Sequence, residues 1–91
     1  MSESRTINEI AFAALVEIGY ADSNRPMYIR KDTPPDVVLR ACNIGRASKG
    51  LPALASADEV VLRALKSKRD NPRQIAIWTR WAKRWGIEVP S

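Results

Sequence analysis

The sequence contains no histidine and a single cysteine, Cys42. Without histidine, the chain lacks the usual general base near neutral pH and the commonest protein ligand of metal ions. One cysteine forms no intrachain disulfide and no zinc site, so we expect Cys42 to be a buried structural thiol. The four glycines form no phosphate-binding loop. These absences predict a protein that is not an enzyme and that holds no metal or other cofactor.

Long apolar runs are also missing. The longest one is far shorter than a membrane span. The N-terminal residues, Met-Ser-Glu-Ser-Arg, lack the basic and apolar regions of a signal peptide. Together with the lone cysteine, this pattern predicts a cytoplasmic protein without a membrane partner.

The length and the charge limit the protein further. The chain has 91 residues, which predicts one domain over residues 1–91 with a flexible N-terminus over residues 1–5. Fifteen Lys and Arg outnumber ten Asp and Glu. Residues 1–35 hold four cations and five acids, whereas residues 36–91 hold eleven cations and five acids. A basic C-terminal part favours an anionic partner.

Helical periodicity predicts an all-α fold, a small single-domain bundle of about four helices. The first helix is predicted to begin at Thr6, because Thr6 and Glu9 match a capping box, and to end at Gly19. The second is predicted to begin with Thr33 as its cap and to end near Gly45.

The third and fourth helices have similar start signals. Ser56 and the glutamate three residues later match a second capping box. The fourth helix is predicted over residues 72–85, with Asp70 or Asn71 as its cap and Gly86 at its end. Two segments between helices are predicted to be loops: residues 20–33, with a short extended piece at 27–29 that has no obvious partner, and residues 46–55.

The fourth helix separates apolar from basic residues on a helical wheel at ~100° per residue. Its apolar side carries Ile75, Ile77, Trp78, Trp81, Ala82 and Trp85. Its basic side carries Arg73, Arg80, Lys83 and Arg84, with the small Ala76 and Thr79 between the two sides. Cations spaced along a rigid helix are suited to phosphate contacts, which favours nucleic-acid binding. A basic face that is merely solvated is the alternative.

The third helix, a short link of about three residues and the basic fourth helix have the outline of a helix-turn-helix. So short a link predicts that the two helices are neighbours in space. In that outline the residues facing the DNA groove are Arg73, Gln74, Ile77, Arg80 and Arg84. The residues contacting the DNA backbone at the rim are Lys66, Lys68 and Arg69.

Residues 73–78, Arg-Gln-Ile-Ala-Ile-Trp, resemble the recognition helix of homeodomains. The resemblance implies that Trp78 lies in the core and that Ile77, Arg80 and Arg84 face the groove. The chain departs from the family where Trp81 occupies the position of the base-contacting asparagine, and its N-terminal residues are not basic. The resemblance covers six residues and implies a local geometry, not membership of the family.

Two functions from different classes follow from these patterns. The first is a DNA-binding, transcription-regulating module that acts on duplex DNA, as a homodimer because one short module gives limited affinity. The second is an adaptor or inhibitor of phage or mobile-element type that binds an acidic host protein. Its predicted protein interface is Phe12 and Val16, which lie off the apolar stripe of the first helix. Binding of the Trp- and Arg-containing helix at a membrane surface is a third interpretation.

Overall fold

The computed structural model of the chain describes residues 4–25 and 28–89. Within these residues it contains no β-strand and four α-helices: α1 (Ile7–Ile18), α2 (Pro35–Ser48), α3 (Ala57–Ser67) and α4 (Pro72–Trp85). The prediction of an all-α fold with about four helices is confirmed. None of the helices in this part of the chain is long and apolar enough to span a bilayer.

The helices form two compact units. Residues 1–54 contain α1 and α2, and residues 55–91 contain α3 and α4. In each unit the two helices contact each other. The single domain inferred from the length of the chain stays a prediction, and the predicted flexible segment 1–5 lies mostly outside the described residues.

Both ends of α1 lie where local signals predict them. The Thr6 hydroxyl accepts a hydrogen bond from the Glu9 N–H at 3.1 Å, and the Glu9 carboxylate accepts one from the Thr6 N–H at 3.2 Å. This capping box satisfies two backbone donors that the helix leaves unpaired. At the other end Gly19 has a φ of 107°, and the Tyr20 N–H donates to the Leu15 carbonyl at 2.9 Å. Glycine adopts this left-handed conformation without a steric penalty.

The start of α2 differs from the prediction. Thr33 is not the cap; Pro34 occupies that position, and no side chain caps the helix. The Thr33 side chain is instead buried, with 2% of its surface exposed, and its hydroxyl donates to the Arg30 carbonyl at 2.6 Å. Pro35 begins the helix, where the missing N–H of proline costs nothing. The connector therefore uses the threonine for its own turn before the helix begins.

The end of α2 differs as well, because Gly45 does not stop the helix. The helix continues to Ser48 and is closed by Gly50, whose φ is 73°. The Leu51 N–H donates to the Arg46 carbonyl at 2.9 Å, which completes a left-handed glycine cap. The first residues of the predicted loop after Gly45 are therefore helical.

Gly45 serves the packing of α1 against α2. A Cβ atom at this position would lie 2.7 Å from the Ile7 carbonyl oxygen and 3.0 Å from the Ile7 Cγ2 atom. Only a residue without a side chain permits this approach of the two helices. The buried core of the first unit is likewise built from small and medium residues: Ala11, Ala14, Leu15 and Ala41.

The connector between α1 and α2 is a loop that is closed by one antiparallel bridge. The bridge pairs Ala21 with Ile29, and the Arg30 N–H donates to the Tyr20 carbonyl at 2.9 Å. The extended piece predicted at 27–29 thus has a partner at the start of its own loop, although Met27 lies outside the described residues. Because the bridge is isolated, it adds no strand to the fold.

The helix α3 begins at Ala57 as predicted but without the predicted capping box. Ser56 is the N-cap residue, yet its side chain makes no cap hydrogen bond with the first turn. Asp58 and Glu59 place two negative charges in that turn, where they offset the positive end of the helix dipole. Electrostatics therefore replaces the reciprocal hydrogen bonds that the sequence pattern indicates.

Both ends of α4 match their prediction. The Asn71 side chain accepts a hydrogen bond from the Gln74 N–H at 3.2 Å, so Asn71 and not Asp70 is the cap. Gly86 closes the helix with a φ of 70°, and the Ile87 N–H donates to the Ala82 carbonyl at 2.8 Å. The link between α3 and α4 has four residues, and the two helices are neighbours as its shortness predicts.

Candidate nucleic-acid interface

The cations of α4 all lie on its exposed side. Arg73, Arg80, Lys83 and Arg84 are each exposed, and the helix carries no acidic residue. Ala82, on the opposite side, is completely buried. Except at Ile77, the predicted division of this helix into a basic and an apolar side therefore corresponds to its exposed and covered sides.

The three arginines of α4 line up on the helix surface. Arg73, Ile77, Arg80 and Arg84 follow one another at alternate spacings of four and three residues, which places them along one line of an α-helix. We call these four residues the arginine stripe. At about 1.5 Å per residue, the stripe is roughly 16 Å long. Ile77 is 36% exposed and lies with the arginines, where the helix-turn-helix outline also places it, whereas the helical wheel assigned it to the apolar side.

The positive charge of this side is largely uncompensated. Among residues 4–25 and 28–89, no carboxylate forms a salt bridge with Arg73, Arg80 or Lys83. The whole C-terminal unit carries eight cations and four acids, a net charge of +4. The N-terminal unit has seven cations and six acids, a net charge of +1. Most of the excess charge of the protein thus belongs to the unit that contains α4.

The tryptophans of α4 are half-buried, and none of them is fully enclosed. The rings of Trp81 and Trp85 lie 4.8 Å apart at an angle of 36° between their planes. The Arg84 guanidinium lies 5.2 Å from the centre of the Trp81 ring, which is a cation–π distance. Sequence reasoning missed this contact, although the spacing of three residues on a helix is its signal. Trp78, which the homeodomain resemblance places in the core, is half-buried too.

The residues at and after the end of α3 that are predicted to contact the DNA backbone differ in their exposure. Lys66 and Arg69 are exposed, whereas Lys68 is half-buried. Gln74, predicted to face the groove, is half-buried and lies off the arginine stripe, on the side of the tryptophans. Asp70, next to Arg69 in the link between α3 and α4, is exposed and lowers the positive charge there. The structure therefore brings the arginines of α4 together but leaves Gln74 apart from them.

The predicted protein interface on α1 is only partly accessible. Phe12 and Val16 are both half-buried. The most exposed large apolar residue of this helix is Ile18, at 43%. The assignment of a protein interface to Phe12 and Val16 stays a prediction.

Cys42, which the sequence predicts to be buried, is half-buried. Burial raises its pKa above the ordinary value, and the positive charge of Arg46 offsets that rise only in part. In the part of the chain that the structure describes, no three Cys, Asp or Glu side chains are grouped closely enough to hold a metal ion. The absence of enzyme activity stays a prediction.

Comparisons of the chain with protein-family models, with curated proteins and with solved structures gave no match. The homeodomain resemblance therefore stays a local one. The residues that it directs toward the groove, Ile77, Arg80 and Arg84, are exposed. The geometry and charge of α4 are the basis on which a function is assigned.

Proposed function

We propose that this protein binds duplex DNA through the exposed basic side of α4 and acts as a small regulatory module. The observation that carries the proposal is the arginine stripe together with Lys83: four exposed cations on a helix that has no acid. Duplex DNA presents about one negative charge per 1.7 Å of its axis, and each phosphate contact releases counterions.

The shape of the helix supports the same partner. The major groove of DNA is about 12 Å wide and admits an α-helix, whereas the major groove of duplex RNA is too narrow to admit one. The exposed residues between the cations include Ala76 and Thr79, which are small. Small side chains allow a helix backbone to approach the floor of the groove. The adjoining α3, joined by a four-residue link, completes the outline of a helix-turn-helix.

The cellular setting of the proposal follows from the sequence. A lone cysteine and a DNA partner fit the reducing cytoplasm. We propose a homodimer, because a single short module gives limited affinity. Sedimentation equilibrium in the presence of duplex DNA tests this part, and a monomer at saturating DNA would contradict it.

The test is fluorescence anisotropy of a labelled duplex titrated with the full chain at several salt concentrations. We expect the logarithm of the association constant to fall linearly with the logarithm of the salt concentration. Each phosphate contact contributes about −0.9 to this slope. No binding at low salt would contradict the proposal and would leave the adaptor function as the interpretation to pursue by nuclease-treated pull-down.

A matched pair of variants separates the proposed site from the general effect of charge. Arg73→Gln with Lys83→Gln removes two exposed cations of α4, and Arg40→Gln with Arg63→Gln removes two exposed cations of α2 and α3. Both pairs change the net charge equally. We expect the first pair to make the salt slope shallower by about 2 for each bound copy of the chain and the second to leave it nearly unchanged. Equal effects would show that net charge, and not α4, determines binding. Circular dichroism should show that both variants remain helical.

A further inference from the structure

The four cations of α4 differ in their place along the helix. Arg73 lies in the first turn, and Lys83 and Arg84 lie in the last turn. Arg80 is the one cation of this helix that lies away from both ends. At ~100° per residue it also lies near the middle of the exposed arc, which extends from Thr79 on one edge to Ile77 on the other.

The surroundings of Arg80 leave its guanidinium available. Among the described residues, no hydrogen bond, ion pair or ring contact engages this side chain. Ile77 and Arg84 lie beside it on the arginine stripe, whereas Ala76, one turn earlier, and Thr79, next along the chain, are small and exposed. The small side chains of Ala76 and Thr79 therefore leave the backbone just before Arg80 open to a ligand surface.

The geometry of α4 assigns different contacts to the ends of the helix and to its middle. Arg73 and Arg84 are separated by roughly 16 Å along the helix, enough for the two ends to reach phosphates on opposite sides of a groove that is about 12 Å wide. A residue in the middle then faces the edges of the bases. The planar fork of an arginine matches the O6 and N7 acceptors of guanine, which no other base presents together.

We propose that Arg80 recognises a guanine in the major groove and that the other cations of α4 contact phosphates. This inference rests on the proposed DNA-binding function and adds the residue and the base that provide sequence preference. Arg80 would contact the base directly through two parallel hydrogen bonds. Arg73, Lys83 and Arg84 would contribute affinity without sequence preference.

The experiment is a selection of bound duplexes from a randomised library by the full chain, followed by anisotropy on the enriched duplex. We expect a motif with one invariant guanine for each bound copy of the chain. Replacing that guanine by 7-deazaguanine removes the N7 acceptor and should weaken binding by about 5- to 150-fold. The Arg80→Gln variant should bind both duplexes equally, whereas Arg73→Gln should keep the discrimination and bind both more weakly.

Arg80→Lys is the second variant, which keeps the charge but loses the fork. We expect it to retain the salt slope and to show weaker discrimination against 7-deazaguanine than the parent, because an ammonium can reach the same acceptors but lacks the planar fork. Loss of discrimination in Arg73→Gln, with discrimination kept in both Arg80 variants, would overturn the assignment. Salt-dependent binding without any enriched motif would overturn this inference while the proposed function stands. Absence of duplex binding at low salt would remove both.

Discussion

Substitution of Gly45 by alanine tests the contact that sets the distance between α1 and α2. In the interior of an exposed helix, Gly→Ala stabilises by about 1 kcal/mol, because alanine loses less backbone entropy on folding. Here the new Cβ atom would lie 2.7 Å from the Ile7 carbonyl oxygen, about 0.7 Å closer than the 3.4 Å at which ordinary contact begins. A backbone oxygen cannot rotate away as a side chain can, so α1 must move.

Overpacking of this kind costs about 1–3 kcal/mol. Shifting α1 also loosens its contacts with the buried alanines of the first unit, so we expect a net loss near 1–2 kcal/mol. For a chain of this size the melting temperature should fall by roughly 4–15 °C. Thermal unfolding followed by far-ultraviolet circular dichroism measures the change.

Gly19→Ala and Gly50→Ala provide the controls. Neither position has an atom within 4 Å of an added Cβ, so only the left-handed backbone is strained, at about 1 kcal/mol each. These variants should therefore be destabilised without a change in helix packing. A Gly45→Ala protein that melts at or above the temperature of the parent would refute the close approach of α1 and α2 at this residue.

Three substitutions and one alkylation reaction test other parts of the structure. The Asn43 side chain exchanges two hydrogen bonds with the backbone of Leu54, at 2.8 and 3.1 Å. Asn43→Ala should therefore lower the free energy of unfolding, measured in urea, by about 1–3 kcal/mol. An unchanged midpoint of urea unfolding would contradict that role. Thr6→Ala removes a formed capping box and should destabilise by about 1 kcal/mol, whereas Ser56→Ala should have little effect because the Ser56 side chain makes no cap bond. Equal melting temperatures for these two variants would be the contrary result. Burial raises the pKa of Cys42, so at pH 8 its thiolate fraction is below that of an ordinary cysteine. Its alkylation by iodoacetamide should therefore be slow, and should accelerate as the pH rises or when urea unfolds the chain. A rate equal to that of a free thiol would disprove the burial.

The residues at the ends of the helices differ in how far along the chain their signals extend. Thr6 bonds with Glu9 and Asn71 with Gln74, each three residues away, and Gly86 closes its helix through its own backbone angle. All residues of such a signal lie within a few positions of the helix end, so the sequence alone contains it. The corresponding helix ends agree with the prediction. Ser56 shows the limit, since the same pattern is present but the hydrogen bonds are not.

The candidate site divides in a similar way. Helical periodicity alone places Arg73, Arg80 and Arg84 on one side of α4, because the period of an α-helix is fixed by its backbone. The exposure of Ile77 and the partial cover of Gln74 depend on the elements that pack around the helix. A helical wheel shows which residues share a side of the helix, but it contains no information about which side other parts of the protein cover.

Sequence by itself determined the number of helices, most of their ends and the basic side of α4, since each follows from interactions within a few residues. Tertiary structure decided that Gly45 permits close packing instead of ending α2, because that outcome depends on Ile7, which is far away along the chain. It also decided that Thr33 is buried in a turn and that the tryptophans of α4 are only half-covered. A residue has one identity in the sequence, but its role is set by neighbours that only the folded chain brings into contact.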